Sequence, residues 1–182
     1  MDRLVQVMSS VYFPFAAIRS LDQGYVERLG PPDECTSALG YVTIGFNWLE
    51  ESLERQIARL AGLSARIAPA MTSELSFKTK VAVLSSLVRM KPPLREFNVG
   101  KESPEDVWND IVRMLFECEQ LRNKVAHSRW SLPSGARIQR TKTTAKPARG
   151  VAVASEEFTS GHLLDIYDYV LNVQWMLDEF FL

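Results

Sequence analysis

The sequence predicts an all-α domain: a four- to five-helix bundle with a small β-hairpin or irregular basic insert before the last helix. Three observations carry that prediction. Apolar residues recur at spacings of three and four over several long stretches. Capping and turn residues separate those stretches. Strand-like composition is confined to one region, 129–156. The chain has 182 residues, of which 46% are hydrophobic, so it reads as one domain over 1–182 with enough apolar surface for a core. There is no repeat at a solenoid period.

Taken in order, residues 1–32 form an N-terminal segment. Its first 29 residues carry Leu4, Val7, Met8, Val11, Ile18, Leu21 and Val26 in a helical pattern, which Pro14 kinks or splits. "GPPDE" at 30–34 is a stop and restart. The next helix is the clearest: Val42, Phe46, Leu49, Leu53, Ile57 and Leu60 line one side, and Asn47, Glu50, Glu51, Glu54, Arg55 and Arg59 occupy the flanks and the far side. Gly40 and Gly45 weaken it and mark either a close approach by another helix or nothing. Gly62 ends it. A helix over about 77–90 has Val81, Leu84, Leu87 and Val88 as its stripe. Lys78 and Lys80 sit in its first turn, where the helix dipole disfavours cations, so they face an anion, nearby carboxylates or solvent.

"KPPLREFNVGKES" is a loop ending at an N-cap, Ser103, followed by Pro104, Glu105 and Asp106. The helix that starts there buries Val107, Ile111, Met114, Leu115, Cys118, Leu121 and Val125. "SRWSL" and "GARIQRTKT" then flank the turn residues "PSG", with "GVAVA" available to pair; the basic run "RTKTTAKPARG" has few apolar anchors and is expected to be mobile. The last helix begins at Thr159 or Ser160 and buries Leu163, Ile166, Tyr167, Val170, Val173, Leu177 and Phe181.

Charge is uneven although the net is −1. No Asp or Glu occurs from Gln120 to Ser155, and that window holds Arg122, Lys124, Arg129, Arg137, Arg140, Lys142, Lys146 and Arg149. All 22 acidic residues lie elsewhere. The asymmetry fits either an anionic partner at one edge or a solvated loop. No apolar run approaches the ~20 residues of a membrane span, and no signal-peptide pattern opens the chain. Cys35 and Cys118 read as reduced core residues, which points to a cytoplasmic protein.

The chemistry gathers in "LRNKVAHSRW", 121–130. Arginine's planar fork suits phosphate oxygens. Histidine serves as base or acid near neutrality, and asparagine orients a hydroxyl or an imidazole. At ~100° per residue, Asn123 and His127 lie about 40° apart on a helix, whereas Arg122 lies about 140° from His127. Glu119 extends the Asn123/His127 face by one turn. RNA cleavage by the 2′-hydroxyl needs a base, an acid and a cation for the phosphate. The chain has two histidines, and His162 reads as a surface or structural residue. One His127 cannot be acid and base in the same step, so a two-fold dimer would bring the second copy to the cleft. Trp108 and Trp130 read as packing residues. No His/Cys set suggests a metal, and no cofactor is implied.

"RNKVAH", Arg122 to His127, resembles the Arg-x4–6-His motif of the HEPN superfamily, all-helical domains named for nucleotide binding in higher eukaryotes and prokaryotes. Asn123 stands where a polar residue commonly follows the arginine, and the motif ends a long late helix followed by one more. Helix order over about 36–182 agrees loosely. The resemblance implies a homodimer with a composite cleft and a metal-independent endoribonuclease activity in toxin–antitoxin, phage-defence or RNA-processing systems. It makes Arg122 and His127 catalytic, with Asn123 assisting. Lys124, Arg129, Arg137, Arg140 and Lys142 are then the candidates to bind RNA, with Glu119 and Lys78 in support. Some toxin members are neutralised by a nucleotidyltransferase-type partner. The basic insert after the motif departs from the family's pattern. Other members are non-catalytic modules that bind a nucleotide or a protein, which is the alternative expectation.

Overall fold

The computed structural model describes residues 34–64, 66–91, 103–131, 137–146 and 150–182; the expected N-terminal segment 1–32 lies outside the described residues. Helix α1, Glu34–Ala61, starts directly after the predicted stop. It buries Val42, Leu49, Leu53 and Ile57 along one stripe. Gly62, at φ 69°, lets the chain leave the helix in the left-handed conformation that other residues avoid. A single turn, α2, Ala68–Thr72, was not anticipated; five residues are too few to show a period. Helix α3, Phe77–Met90, is capped by Ser76, whose hydroxyl accepts from the Thr79 N–H. Helix α4, Pro104–Ala126, opens on a full capping box between Ser103 and Asp106, with Pro104 in its first turn.

Three antiparallel strands follow: β1, Arg129–Ser131; β2, Arg137–Lys146; β3, Gly150–Thr159, in the order β1-β2-β3. In its described residues the insert is a three-stranded sheet rather than a single hairpin, with "GVAVA" paired to the second strand as the sequence allowed. Much of the run expected to be mobile is strand, with Thr141, Lys142 and Thr143 opposite Ser155, Ala154 and Val153. The backbone ladder holds this outer part without apolar anchors. Its base is fixed by Ile138 and Phe158, paired across β2 and β3 and both buried, with the Trp130 ring 5.5 Å from that of Phe158. Helix α5, Ser160–Phe180, begins as expected, with the Thr159 hydroxyl accepting from the His162 N–H.

Helices α1 and α5 run in the same direction: Glu34 meets Ser160, Gly45 meets Tyr167, and Ser52 meets Asp178. Gly45 is a true close approach, since a Cβ there would stand 3.0 Å from the Tyr167 ring; Gly40 has nothing within 4 Å. Helix α4 runs antiparallel to α5, with Trp108 against Phe180 at one end and Glu117 bonded to Tyr169 towards the other. Leu49, Leu53, Leu84, Ile111, Leu115, Leu163 and Leu177 fill the space between the helices, each fully or almost fully buried. Truncating such a leucine to alanine costs about 2–5 kcal/mol. The described residues are thus mainly helical with one small sheet. Among the described residues, no helix is long and apolar enough to cross a membrane.

Candidate functional site

Helix α4 carries the candidate residues at its C-terminal end, and helical geometry sends Arg122 in a different direction from Asn123 and His127. Arg122 lies seven residues after Leu115 and four after Cys118, both fully buried, so it continues the stripe that faces the bundle. There its guanidinium reaches Glu50 of α1 at 3.3 Å, with 38% of the side chain still exposed. Asn123, one residue on, turns about 100° away and is exposed. His127 is the C-cap; its N–H donates to the Asn123 carbonyl at 3.3 Å, and it too is exposed. An imidazole in this place also complements the negative end of the helix dipole when protonated. Glu119 is half-buried on the same helix. No hydrogen bond or ion pair joins the side chains of Arg122, Asn123 and His127 within one chain; for Arg122 this follows from its angular separation from His127.

Glu50 does not serve Arg122 alone. The Lys80 ammonium, 2% exposed, lies 2.6 Å from Glu50 and 2.5 Å from Glu54. Burial works against that charge, but the bonds and charges of the two carboxylates outweigh it and hold the Lys80 amine above its ordinary value. Of the two first-turn lysines, Lys80 therefore faces carboxylates, whereas Lys78 is exposed. The result is a chain of alternating charge, Arg122–Glu50–Lys80–Glu54, tying α4 and α3 to α1.

The sheet divides the basic residues. Arg140, 8% exposed, stands on the face that carries Ile138 and Trp130, and its Nε donates to the Lys124 carbonyl and the Ser128 hydroxyl. Arg140 and Lys124 share Glu156, and Arg137 pairs with Glu157. Lys124 also lies over the Phe158 ring at 5.1 Å. These carboxylates stand just beyond the acid-free window, directly across the β2–β3 ladder, so three of the five residues expected to bind RNA are already paired. Arg129 and Lys142 are exposed and outside any ion pair within the described residues. Strand alternation puts them on opposite faces, because Arg129 lies across from Thr141, the neighbour of Lys142.

Between α4, β2 and α5 lies an open groove of about 780 Å³. Lys124, Arg140 and Lys142 form one side, Gln120 and Asn123 contribute amides, and Glu117 and Tyr169 form the other side. Tyr169 donates to Glu117 at 2.5 Å. That bond, helped by Arg113, keeps the Glu117 carboxyl below its usual range, while burial and the same carboxylate push the Tyr169 hydroxyl up. The groove thus carries three cations, two of them sharing Glu156, towards the sheet, and Glu117, paired with Arg113, away from it. Asn123 lines it; Arg122 and His127 do not.

Trp108 packs on Phe180 and Phe181, and the Trp130 indole N–H donates to the Val125 carbonyl, so both tryptophans are structural. His162 is exposed with its ring 6.5 Å from that of Phe158. Cys118 is buried, and burial pushes its thiol up to about 12. Among the described residues, no group of three or more His, Cys, Asp or Glu is placed to hold a metal. Sequence reasoning missed Glu50 and Lys80 as partners of the motif. The available signal was Glu50 and Glu54 one turn apart on α1, opposite a lysine in an unfavourable helix turn. It also missed the groove, whose Glu117, Gln120 and Tyr169 carry no motif. Comparison with protein families, with characterised proteins and with solved structures finds no match to this chain.

Proposed function

We propose that this protein is a metal-independent endoribonuclease of HEPN type, with a composite active site at a homodimer interface, acting in a toxin–antitoxin or phage-defence setting. One observation carries the reading: His127 stands exposed at the cap of α4, five residues after an arginine whose guanidinium rests 3.3 Å from Glu50 and whose side chain is still 38% open. In this mechanism one His127 takes the proton from a ribose 2′-hydroxyl. The 2′ oxygen bonds to phosphorus and the bond to the 5′ oxygen breaks. The partner's His127 gives that oxygen its proton, leaving a 2′,3′-cyclic phosphate and a 5′-hydroxyl. Arg122 stabilises the charge that builds on the phosphate, and Asn123 orients the attacking group.

The test is RNA cleavage by purified protein in EDTA, with the ends identified. Cyclic phosphate ends that vanish in His127→Ala, at unchanged melting temperature, support the reading. Intact RNA at every protein concentration refutes it. A second reading, a non-catalytic helical module binding a nucleotide or a protein, is favoured by the pairing of Arg122, Lys124, Arg137 and Arg140 with carboxylates of the same chain.

A further inference from the structure

The groove beside the motif is chemically more specific than a basic surface. At its sheet end Arg140 is nine-tenths buried and immobilised by the Lys124 carbonyl, Ser128 and Glu156. That cation is held in place before any ligand arrives, and the one carboxylate of Glu156, which it shares with Lys124, leaves the three cations Lys124, Arg140 and Lys142 in excess at this end. Lys142 stands next to it on the same face, exposed and outside any ion pair within the described residues. At the helix end the Tyr169 hydroxyl is committed to Glu117, so what Tyr169 offers a ligand is its ring. Between the two ends, Gln120 and Asn123 present amides that both donate and accept.

We propose that this groove binds one nucleotide unit of single-stranded RNA. The phosphate sits at Arg140 and Lys142, the base lies towards Tyr169, and the amides of Gln120 and Asn123 meet its polar edge. The proposal rests on the ribonuclease reading and gives it a substrate track. Three features argue for a nucleotide over a simple anion. A volume of about 780 Å³ far exceeds what a phosphate needs. Lys142 and Arg140 lie at one end and Glu117, already paired with Arg113, at the other, so a ligand with charge at one end only is oriented towards the sheet. Aromatic and amide groups at that uncharged end suit a base. Asn123 then joins the two parts of the site: it lines this track and stands about 40° from His127 on the same helix.

The test uses full-length His127→Ala protein, which cannot cut in the reading above, with a fluorescent single-stranded RNA of about ten nucleotides and, separately, ribonucleoside monophosphates. RNA binding should weaken at least tenfold in Lys142→Glu and severalfold in Gln120→Ala. It should change less than twofold in Arg66→Glu, an exposed charge reversal in the turn before α2. Losing Lys142 should also flatten the dependence of log affinity on log salt by about 0.7. Weaker, measurable monophosphate binding with the same sensitivity to Lys142 locates a single-nucleotide pocket. Failure of either ligand to bind overturns the proposal, as does an equal loss in Lys142→Glu and Arg66→Glu. The two readings separate, because tight groove-dependent binding without cleavage in the wild-type protein sinks the nuclease and leaves the groove standing.

Discussion

Replacing Lys80 by methionine tests the charge chain that anchors the motif. The ammonium is 2% exposed, whereas its partners Glu50 and Glu54 are 20% and 28% exposed. Methionine keeps most of the buried hydrocarbon but leaves two carboxylates one helical turn apart without their shared cation. Breaking a fully buried pair costs about 3–5 kcal/mol. Here the carboxylates reach water and Glu50 retains Arg122, so the expected loss is about 2–3 kcal/mol. For a chain of this size that is a fall in Tm of about 4–12 °C by thermal unfolding. Adding Glu50→Gln and Glu54→Gln to the methionine variant should recover most of it, because the cost lies in uncompensated charge. The pH dependence has a definite sign. The folded state holds the Lys80 amine above its unfolded value, so its contribution is complete below ~10.4 and is lost as pH rises through the folded value. The gap between wild type and Lys80→Met should therefore narrow in strongly alkaline buffer. A methionine variant within 0.5 kcal/mol of wild type at pH 7, or a triple variant less stable than the single one, refutes the reasoning.

Three further substitutions follow from packing and charge. Gly40→Ala fills open space on an exposed helix surface and should stabilise by about 0.5–1 kcal/mol, whereas Gly45→Ala sets a methyl 3.0 Å from the Tyr167 ring and should be less stable than Gly40→Ala by about 1–2 kcal/mol in urea unfolding. Asp178 is half-buried, which opposes its charge, but bonds from Ser52, Arg55 and Gln56 outweigh that and hold its carboxyl below the usual range. Its contribution is present above ~3.9 and is lost as pH falls through the folded value, so Asp178→Asn should cost about 1–2 kcal/mol at pH 7 and show a shallower loss of stability between pH 5 and 3.

The four long helices were legible because each declares itself locally. Ser103, Pro104 and Asp106 place the start of α4, Gly62 closes the exit from α1, and the stripes of Val42–Ile57 and Ile111–Val125 name the buried faces. What was not legible depends on partners distant in sequence. The acid-free window suggested an open cationic surface, but Glu156 and Glu157, its first neighbours in sequence, fold back across the β2–β3 ladder onto Arg140, Lys124 and Arg137. Composition along a chain does not record which face of a strand a charge takes, and so it merged Arg129 and Lys142, which alternation separates. The pairing of Lys80 with Glu50 and Glu54 spans about 30 residues and depends on how α3 lies against α1, which no periodicity encodes.

The same geometry bears on whether Arg122 is free to act. An arginine bound to a carboxylate is a poor phosphate clamp unless release is cheap. Glu50 has two oxygens, and Lys80 bonds to Oε1 while Arg122 meets Oε2. When Arg122 swings away, the carboxylate keeps a buried cation, so no orphaned charge is left behind. At 3.3 Å and 38% exposure the ion pair that opens is comparable to one on a protein surface, about 0–1 kcal/mol. A bidentate bond to a phosphate exceeds that. Lys80 thus turns Glu50 from a trap into a rest for the motif arginine. On the proposed ribonuclease reading, Lys80→Met should strengthen the hold of Glu50 on Arg122 and lower cleavage, while Glu50→Gln should leave cleavage intact at reduced stability. Cleavage rates for the two variants at a temperature where both are folded decide it, and a loss of activity in Glu50→Gln equal to that in Lys80→Met would make the carboxylate part of the clamp instead.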